Sequence, residues 1–454
     1  MSYSSRRNEP SKRSAPDASA PPCSKKIKTG EDVSSPTPRG NQLRLRWMPA
    51  IGARKTLHHA VYGNPLPSHK IAAFSLDHTI IQPADGARYC ETAHDWRWWS
   101  APSMKEEKED DDQGSTVVNR LRALHADRYA IVIFTSQRHD SSEWWDAFKK
   151  LFKNVAEALD IPLRIFISRD FDIYRKPVPG AWMEFAKEWN GGKHIDLSES
   201  FYVGDAAGWG KSKLDYDRKF AFNIEVEFFA PSEFFLNRPQ SKNWSFKGWS
   251  SREYDQKAPL YLPTNTPLVP RRLSEFDPLP PDYVLLVGAP GCGKTSFALK
   301  YLVKAGYVRL TDGSSTYLEK ALCAKPACNF VIDTSLPSPS SRKSLITSLR
   351  LLAPKHTIRC FTFTASESLA KHNNVFSVLF DQEEAKKEGR QRTFTTESEY
   401  RRWHTEYHEP NKAEGFDALK RSNFVFDHDH PDSEERLKNW EKFLNCYPFE
   451  PEKT

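Results

Sequence analysis

The sequence predicts an α/β protein in which two parallel-sheet domains follow a disordered basic tail. Three observations carry this prediction: short apolar runs alternate with amphipathic segments, a glycine-rich motif joins an apolar run to an amphipathic one, and the N-terminal stretch has almost nothing to bury. The chain has 454 residues. Because a single core stops growing at roughly 250 to 300 residues, we expect more than one domain.

Composition excludes several classes of protein. The 38% hydrophobic content can fill such cores. No window approaches the roughly 18 apolar residues of a membrane helix. The seven cysteines lack paired CxxC spacing, which argues against a zinc site or a disulfide framework and favours a reducing compartment. The net charge of +7 permits a polyanionic partner without requiring one.

Residues 1–44 form the predicted disordered tail. They are rich in Ser, Pro, Lys and Arg, and two basic clusters, Lys12-Arg13 and Lys25-Lys26-Ile27-Lys28, flank a spacer rich in Ala, Pro and Ser. Two such clusters on a flexible tether resemble a bipartite nuclear import signal, which predicts a nuclear location. The alternative is a basic tail that solubilises the chain or contacts nucleic acid.

Residues 45–236 form the first predicted domain. The runs "KIAAFSL", "YAIVIFTS", "RIFISR" and "SFYVGD" are short, apolar and followed by polar residues or Gly, as in parallel strands buried on both faces. Ligands of such sheets bind beyond the carboxyl ends of the strands. We therefore expect a set of polar residues to converge there: Ser75, Asp77, Thr79, Thr135, Ser136, Lys176 and Asp205.

These residue types fit the transfer of a phosphoryl group. Asp77 is the candidate acid for the leaving oxygen, Thr135 and Lys176 are candidates for holding phosphate oxygens, and Asp205 is the candidate ligand of Mg²⁺. A nucleophile is missing, because Ser75 follows the first apolar run where an acid would be expected.

Residues 237–280, rich in Pro, Ser and Asn, are the predicted linker, and residues 281–454 are the second predicted domain. The latter begins with "YVLLVGAPGCGKTSFALKYL", an apolar run, a GxxxxGK[ST] loop and an amphipathic segment. In such a P-loop, Gly288, Gly291 and Gly293 let backbone N–H groups surround phosphates, Lys294 neutralises them, and Thr295 binds Mg²⁺. This motif predicts ATP and Mg²⁺ as cofactors, against the alternative of a helix cap that happens to spell it.

Four segments of the first domain resemble one family. "SLDHT", "FTSQ", "YRKPVPGAW" and "SFYVGDAAGWG" are similar in order to the phosphatase half of the polynucleotide kinase 3'-phosphatases, a branch of the haloacid dehalogenase superfamily. The resemblance spans roughly residues 45 to 445. It implies a haloacid dehalogenase-like 3'-phosphatase domain over 45–236 and a P-loop polynucleotide kinase domain over 281–454.

The resemblance also implies a function. It predicts DNA-end processing in strand-break repair by an ATP-dependent 5'-hydroxyl kinase, with nucleic acid ends as partners, DNA favoured over RNA, and other repair proteins as further candidates. No membrane partner is expected.

The first motif departs from the family pattern Asp-x-Asp-Gly-Thr. Ser75 stands at the nucleophile position and His78 at the glycine position. A serine hydroxyl has no charge for Mg²⁺, and phosphoserine lacks the reactive acyl character of an aspartyl phosphate. We therefore expect an impaired phosphatase. The alternative is that "SLDHT" is merely the end of a buried strand.

The kinase half departs from the family pattern at the position of the catalytic base. The resemblance places Asp333 of "NFVIDTS" at the second carboxylate position of the P-loop, where it would help hold the metal. The family's aspartate base, however, aligns without a gap on Gly313, and only a one-residue slip places Asp312 there. Asp312 is our candidate catalytic base.

Two functional hypotheses therefore stay open. One is the kinase with a phosphatase-like domain, and the other is a non-catalytic paralogue that binds DNA ends or repair partners. The feature that separates the two hypotheses is the alignment of Asp312 and Gly313 with the family's base, together with Ser75 at the nucleophile position.

Overall fold

The strands of the first half form one mainly parallel sheet. A computed structural model describes residues 43–87, 89–101, 116–137, 141–209, 214–247, 249–270, 281–387, 389 and 391–444. The strands of the first half are β1 (Leu45–Trp47), β2 (Leu57–Tyr62), β3 (Ile71–Phe74), β4 (Ile81–Pro83), β5 (Trp96–Trp98), β6 (Ala130–Ser136), β7 (Leu163–Ser168), β8 (Phe201–Val203) and β9 (Glu227–Phe229). Seven of them join in the order β1-β2-β7-β6-β3-β8-β9, and β4 pairs with β5 separately.

The pairing agrees with the predicted parallel sheet, except at one edge. Strands β7, β6, β3, β8 and β9 pair in parallel, whereas β1 and β2 add an antiparallel edge that the sequence prediction lacked. The central strand β3 is fully buried because helices cover the sheet. These helices are α1 (Thr116–Ala126), α2 (Ser142–Leu159), α3 (Gly180–Glu184), which continues as a π-helical turn, α4 (Tyr216–Asn223) and α5 (Pro231–Phe235).

Within the described residues, the second half builds its own sheet of six strands. These are β10 (Tyr261–Leu262), β11 (Asp282–Val287), β12 (Val308–Leu310), β13 (Phe330–Ile332), β14 (Thr357–Phe363) and β15 (Ala418–Ser422), in the order β10-β15-β14-β11-β13-β12. Only the β10–β15 pair is antiparallel. The predicted α/β class with two mainly parallel sheets is therefore confirmed.

Seven helices accompany this sheet in the described residues: α6 (Lys294–Phe297), α7 (Ser315–Ala324), α8 (Pro339–Leu352), α9 (Glu367–Phe380), α10 (Gln382–Lys387), α11 (Glu397–Glu406) and α12 (Ser433–Trp440). The first of them, α6, continues as a π-helical and then a 3₁₀ turn up to Ala305. No helix among the described residues has the length and hydropathy that a membrane span requires.

The two halves share buried contacts. Val178 lies in one apolar cluster with Trp249, Leu369 and Trp440. The segment predicted as a linker supplies Trp249 to this cluster and β10 to the second sheet. The domain boundaries at 44, 236 and 280 stay predictions. Almost all of the basic tail, including both of its charge clusters, lies outside the described residues.

Candidate functional site

The first sheet brings the predicted polar residues together. Ser75 follows β3, Thr135 lies in β6, and Asp205 follows β8; these three strands are adjacent and parallel, so their carboxyl ends meet at one edge. The Thr135 hydroxyl is 3.5 Å from Oδ2 of Asp77. Lys176 reaches this group from the loop before α3, with its Nζ 3.0 Å from Oγ of Ser75. The structure thus assembles the set, while the chemical roles stay predictions.

Lys176 is held by a buried network. Its Nζ donates to Ser75 Oγ at 3.0 Å, to the Tyr202 hydroxyl at 2.9 Å and to Oδ1 of Asp217 at 2.7 Å. The side chains of Lys176 and Asp217 are only 3% and 0% exposed. Asp217 also accepts a hydrogen bond from the backbone N–H of Ala206. The positive charge of Lys176 is therefore already balanced by a carboxylate.

Sequence reasoning missed Asp217. Its only signal was the position at the start of "DRKFAFN", a segment similar to the family. The approach of α4 to the sheet depends on Gly204, because a Cβ there would lie 2.5 Å from Cγ of Asp217. That close approach exists only in the folded chain.

The carboxyl groups of this site are strongly desolvated. Burial raises the pKa of Asp77, an effect opposed by the hydrogen bond from Gln137, which the sequence did not single out either. Burial and then the Asp217 carboxylate hold the pKa of Asp205 well above its usual range. A raised pKa suits a group that donates a proton, as predicted for Asp77.

This donor set is a poor match for Mg²⁺. Ser75 offers a neutral hydroxyl that is already bonded to an ammonium group. Within the described residues, no group of three or more His, Cys, Asp or Glu side chains is placed to hold a metal ion. Asp205 stays a predicted metal ligand, and we derive no chemical step through a metal at this site.

Two further features are consistent with the phosphate site that the family pattern predicts here. His78 has φ of 52°, the left-handed region that favours glycine, at the position where the family pattern has Gly. The hydroxyl oxygens of Thr79 and Ser136 are buried and find no hydrogen-bond partner within the described chain. Unpaired buried hydroxyls are rare, which singles out these two side chains beside the predicted phosphate site.

The predicted P-loop in the second sheet is a tight glycine-rich turn. It runs from the end of β11 to the start of α6. Gly291 and Gly293 have φ of 78° and 101°, and a Cβ on Gly291 would lie 2.2 Å from the Ala370 carbonyl oxygen. A Cβ on Gly288 would lie 2.7 Å from Cys292 Sγ. The three glycines therefore let the loop curve tightly against its surroundings.

Lys294 and Thr295 occupy the places expected for an ATP site. The Lys294 Nζ donates to the carbonyl oxygens of Gly288 at 2.7 Å and Ala289 at 2.9 Å. The Thr295 hydroxyl donates to Oδ2 of Asp333 at 2.7 Å. A hydroxyl beside a buried carboxylate, at the start of a helix that follows a glycine loop, fits a nucleotide with Mg²⁺.

The candidate base is less well placed. Asp312 is exposed beyond β12, and its carboxylate accepts hydrogen bonds from the backbone N–H of Ser314 at 2.8 Å and the Ser314 hydroxyl at 3.0 Å. Gly313 lines a cavity of about 410 Å³ together with hydroxyl side chains of α8 and the β13–α8 loop. Asp312 as base stays a prediction, and in this conformation its oxygens are used by its own turn.

Sequence reasoning also missed Arg309. Its guanidinium contacts Asp333 from the neighbouring strand β12, with Nε at 2.8 Å and Nη2 at 2.7 Å from Oδ2. By contrast, Arg342 of α8 and His372 of α9 have structural contacts. Arg342 is fully buried against Glu414. His372 is bonded to the Trp440 carbonyl at 2.7 Å, and burial lowers the pKa of His372 to about 3.

Comparison with known proteins agrees with both halves. Residues 70–235 match the family model described as Polynucleotide kinase 3 phosphatase. The chain is 32% identical over 357 residues to the bifunctional polynucleotide phosphatase/kinase of Schizosaccharomyces pombe, covering 76% of this chain and 79% of that protein.

Two further relatives extend this match. A putative bifunctional polynucleotide phosphatase/kinase of Acanthamoeba polyphaga mimivirus is 27% identical, covering 72% of this chain and 83% of that protein. The polynucleotide 3'-phosphatase ZDP of Arabidopsis thaliana is 33% identical, covering 27% of this chain and 20% of that protein. The match thus includes both the phosphatase-like and the P-loop half, as the sequence motifs predicted. The chain belongs to the polynucleotide kinase 3'-phosphatase family of kinase-plus-phosphatase enzymes.

Proposed function

We propose that the chain is an ATP-dependent polynucleotide 5'-hydroxyl kinase, joined to a 3'-phosphatase-type domain whose hydrolysis is impaired. One observation carries the proposal: the two site lysines have different partners. Lys294 donates to neutral groups of its own loop, the carbonyls of Gly288 and Ala289 and the thiol of Cys292, whereas Lys176 is bonded to the Asp217 carboxylate. A bound phosphate would give Lys294 the negatively charged partner that it lacks, whereas Lys176 already has such a partner in Asp217.

In the kinase half, each residue has a distinct task. The loop N–H groups around Gly291 and Gly293 would orient the phosphates, and Lys294 would exchange its carbonyl partners for phosphate oxygens. Bound Mg²⁺ would neutralise phosphate charge beside Thr295 and Asp333. Asp312 would accept the proton of the 5'-hydroxyl, after giving up its hydrogen bonds to Ser314.

In the phosphatase half, the scaffold is present and the attacking group is not. Ser75 is 5% exposed and accepts a hydrogen bond from Lys176, which makes its oxygen a weaker nucleophile. Burial raises the pKa of Asp77, which suits an acid for a leaving oxygen, but Ser75 offers no carboxylate to attack.

The biological setting follows from the tail and the family. The two basic clusters support a nuclear location, and the relatives' names support polynucleotide ends as substrates. Within this proposal the protein acts in the repair of DNA strand breaks, with DNA favoured over RNA and other repair proteins as partners.

A second candidate is a non-catalytic protein that binds DNA ends. The loss of the aspartate nucleophile at Ser75 favours it for the phosphatase half, since a 3'-phosphate bound there would not be removed. The position of Asp312 favours it for the kinase half.

One assay separates the two candidates. The native protein is incubated with ATP labelled at the γ-phosphate and an oligonucleotide with a 5'-hydroxyl end. We expect label on the oligonucleotide, and we expect Lys294→Ala to reduce the transfer by about 100-fold or more. Transfer by the native protein no higher than by the variant would contradict the kinase proposal and leave end binding as the function.

A further inference from the structure

The Asp333 carboxylate contacts both Thr295 of the proposed nucleotide site and Arg309 of the neighbouring strand β12. Two side chains converge on one oxygen, Oδ2: the Thr295 hydroxyl donates at 2.7 Å, Arg309 Nε donates at 2.8 Å, and Arg309 Nη2 lies 2.7 Å away in the ion pair. The Asp333 side chain is 3% exposed, and that of Arg309 is 23% exposed. The ion pair therefore lies at the inner wall of the site.

The sheet fixes Arg309 in this place. Strands β12 and β13 are parallel, with Arg309 opposite Val331 and Leu310 opposite Ile332. The Asp333 N–H extends this ladder by donating to the Leu310 carbonyl at 2.8 Å. The backbone of Arg309 cannot withdraw without breaking these pairings, so only its side chain can leave Asp333.

The two donors differ in what they do to a metal. A threonine that donates its proton to a carboxylate keeps oxygen lone pairs for Mg²⁺, so the Thr295–Asp333 contact is compatible with the ion. A guanidinium is permanently charged and has no acceptor. It neutralises the negative charge that attracts a divalent cation, and it repels that cation at short range.

We propose that Arg309 is a positioning residue that sets the metal dependence of nucleotide binding. In the metal-free protein it holds Asp333 and neutralises it. When Mg²⁺ arrives with the nucleotide, Arg309 releases or shares Asp333, and this exchange raises the Mg²⁺ concentration needed for tight binding. The inference rests on nucleotide binding in the proposed function and does not depend on which strand end is phosphorylated.

The test is a titration of nucleotide binding with Mg²⁺. A fluorescent ADP derivative is held at fixed concentration with the full chain, and its binding is followed from EDTA to millimolar Mg²⁺. We expect Arg309→Gln to lower the Mg²⁺ concentration at the midpoint by about 5- to 10-fold, within the usual range of coupling between two ligands.

Two variants control for folding and for charge. Arg309→Lys keeps a cation that forms fewer hydrogen bonds, and it should place the midpoint between the native protein and Arg309→Gln. Arg350→Gln removes the same charge from an exposed pair with Asp417 and should leave the midpoint unchanged. Thermal melts of all variants report whether each one is folded.

The outcomes separate this inference from the proposed function. An unshifted midpoint in a folded Arg309→Gln, with nucleotide binding intact, shows that Arg309 only supports the strand and overturns the inference alone. Should Arg309→Gln fail to fold, the midpoint of Arg309→Lys decides in the same way. Absence of nucleotide binding by the native protein overturns the proposed ATP site and the inference together.

Discussion

The two candidate phosphate sites place a lysine in opposite electrostatic situations. Lys176 of the phosphatase-like site is almost completely buried and paired with Asp217, Tyr202 and Ser75. Lys294 of the P-loop is half-buried and bonded to two carbonyl oxygens. A lysine whose charge is balanced by a buried carboxylate stabilises the fold. A lysine that is held by neutral dipoles can exchange these partners for an anionic ligand. Two sites with similar sequence signals thus differ in readiness for phosphate.

The largest difference between the two sites should diminish when an aspartate is restored at position 75. Ser75→Asp, alone or with His78→Gly, should restore hydrolysis of a 3'-phosphate oligonucleotide. Loss of a nucleophile typically costs about 10⁴- to 10⁶-fold in rate. Because the remaining network has relaxed around serine, we expect a partial gain of about 1,000-fold over the native protein, measured as released phosphate.

Ser75→Asn is the matched control, because it has the shape of aspartate without its charge and should give no gain. Rapid hydrolysis by the native chain would contradict the proposed impairment.

The second prediction concerns stability. Asp217→Asn leaves Lys176 buried without its carboxylate, which should lower the free energy of unfolding by about 3–5 kcal/mol. Lys294→Met removes hydrogen bonds to neutral loop groups, two carbonyls and the Cys292 thiol, and should cost about 1 kcal/mol. Urea denaturation of both variants measures this difference. Equal losses in the two variants would show that the two lysines are held in the same way.

The third prediction tests the candidate base. Asp312→Ala should slow phosphorylation of a 5'-hydroxyl end by about 100-fold, which is the lower end of what a general base contributes, while nucleotide affinity stays the same. Ser314→Ala removes the hydroxyl that bonds Asp312 but keeps the carboxylate, so its rate should stay close to native. An undiminished rate in Asp312→Ala would leave the kinase without a base at this position.

The smallest expected effect is a pH dependence of the free energy of unfolding that is caused by His372 in the second half of the chain. His372 has a pKa of about 3 in the folded chain, against roughly 6.5 when exposed. Below about pH 6.5 the unfolded chain therefore binds a proton that the folded chain excludes, and stability falls as the pH falls. Between pH 7.5 and pH 5 we expect this group to cost about 2 kcal/mol.

Denaturation curves at several pH values measure that loss. His372→Gln should flatten the dependence, whereas substitution of the exposed His404 by Gln should not. An unchanged slope in His372→Gln would assign the pH dependence to other groups.

Local patterns predicted much of this molecule. The glycines at 288, 291 and 293 with Lys294 and Thr295 predicted a phosphate loop, because that backbone path needs residues without a Cβ at fixed intervals. The apolar runs predicted parallel strands, because strands buried on both faces carry apolar side chains at successive positions. The substitution at Ser75 was visible because this residue stands at the end of an apolar run, where the family pattern Asp-x-Asp-Gly-Thr has its first aspartate.

The contacts that distinguish the two sites were decided only by the tertiary structure. Asp217 reaches Lys176 across 41 positions of sequence, and Arg309 reaches Asp333 across 24. Neither pair has a periodicity or spacing that a sequence pattern could reveal, because the distance between them is set by how helices and strands pack. The sequence by itself determined the loops, strands and missing acid; the packing decided which charges are balanced and which remain available to a ligand.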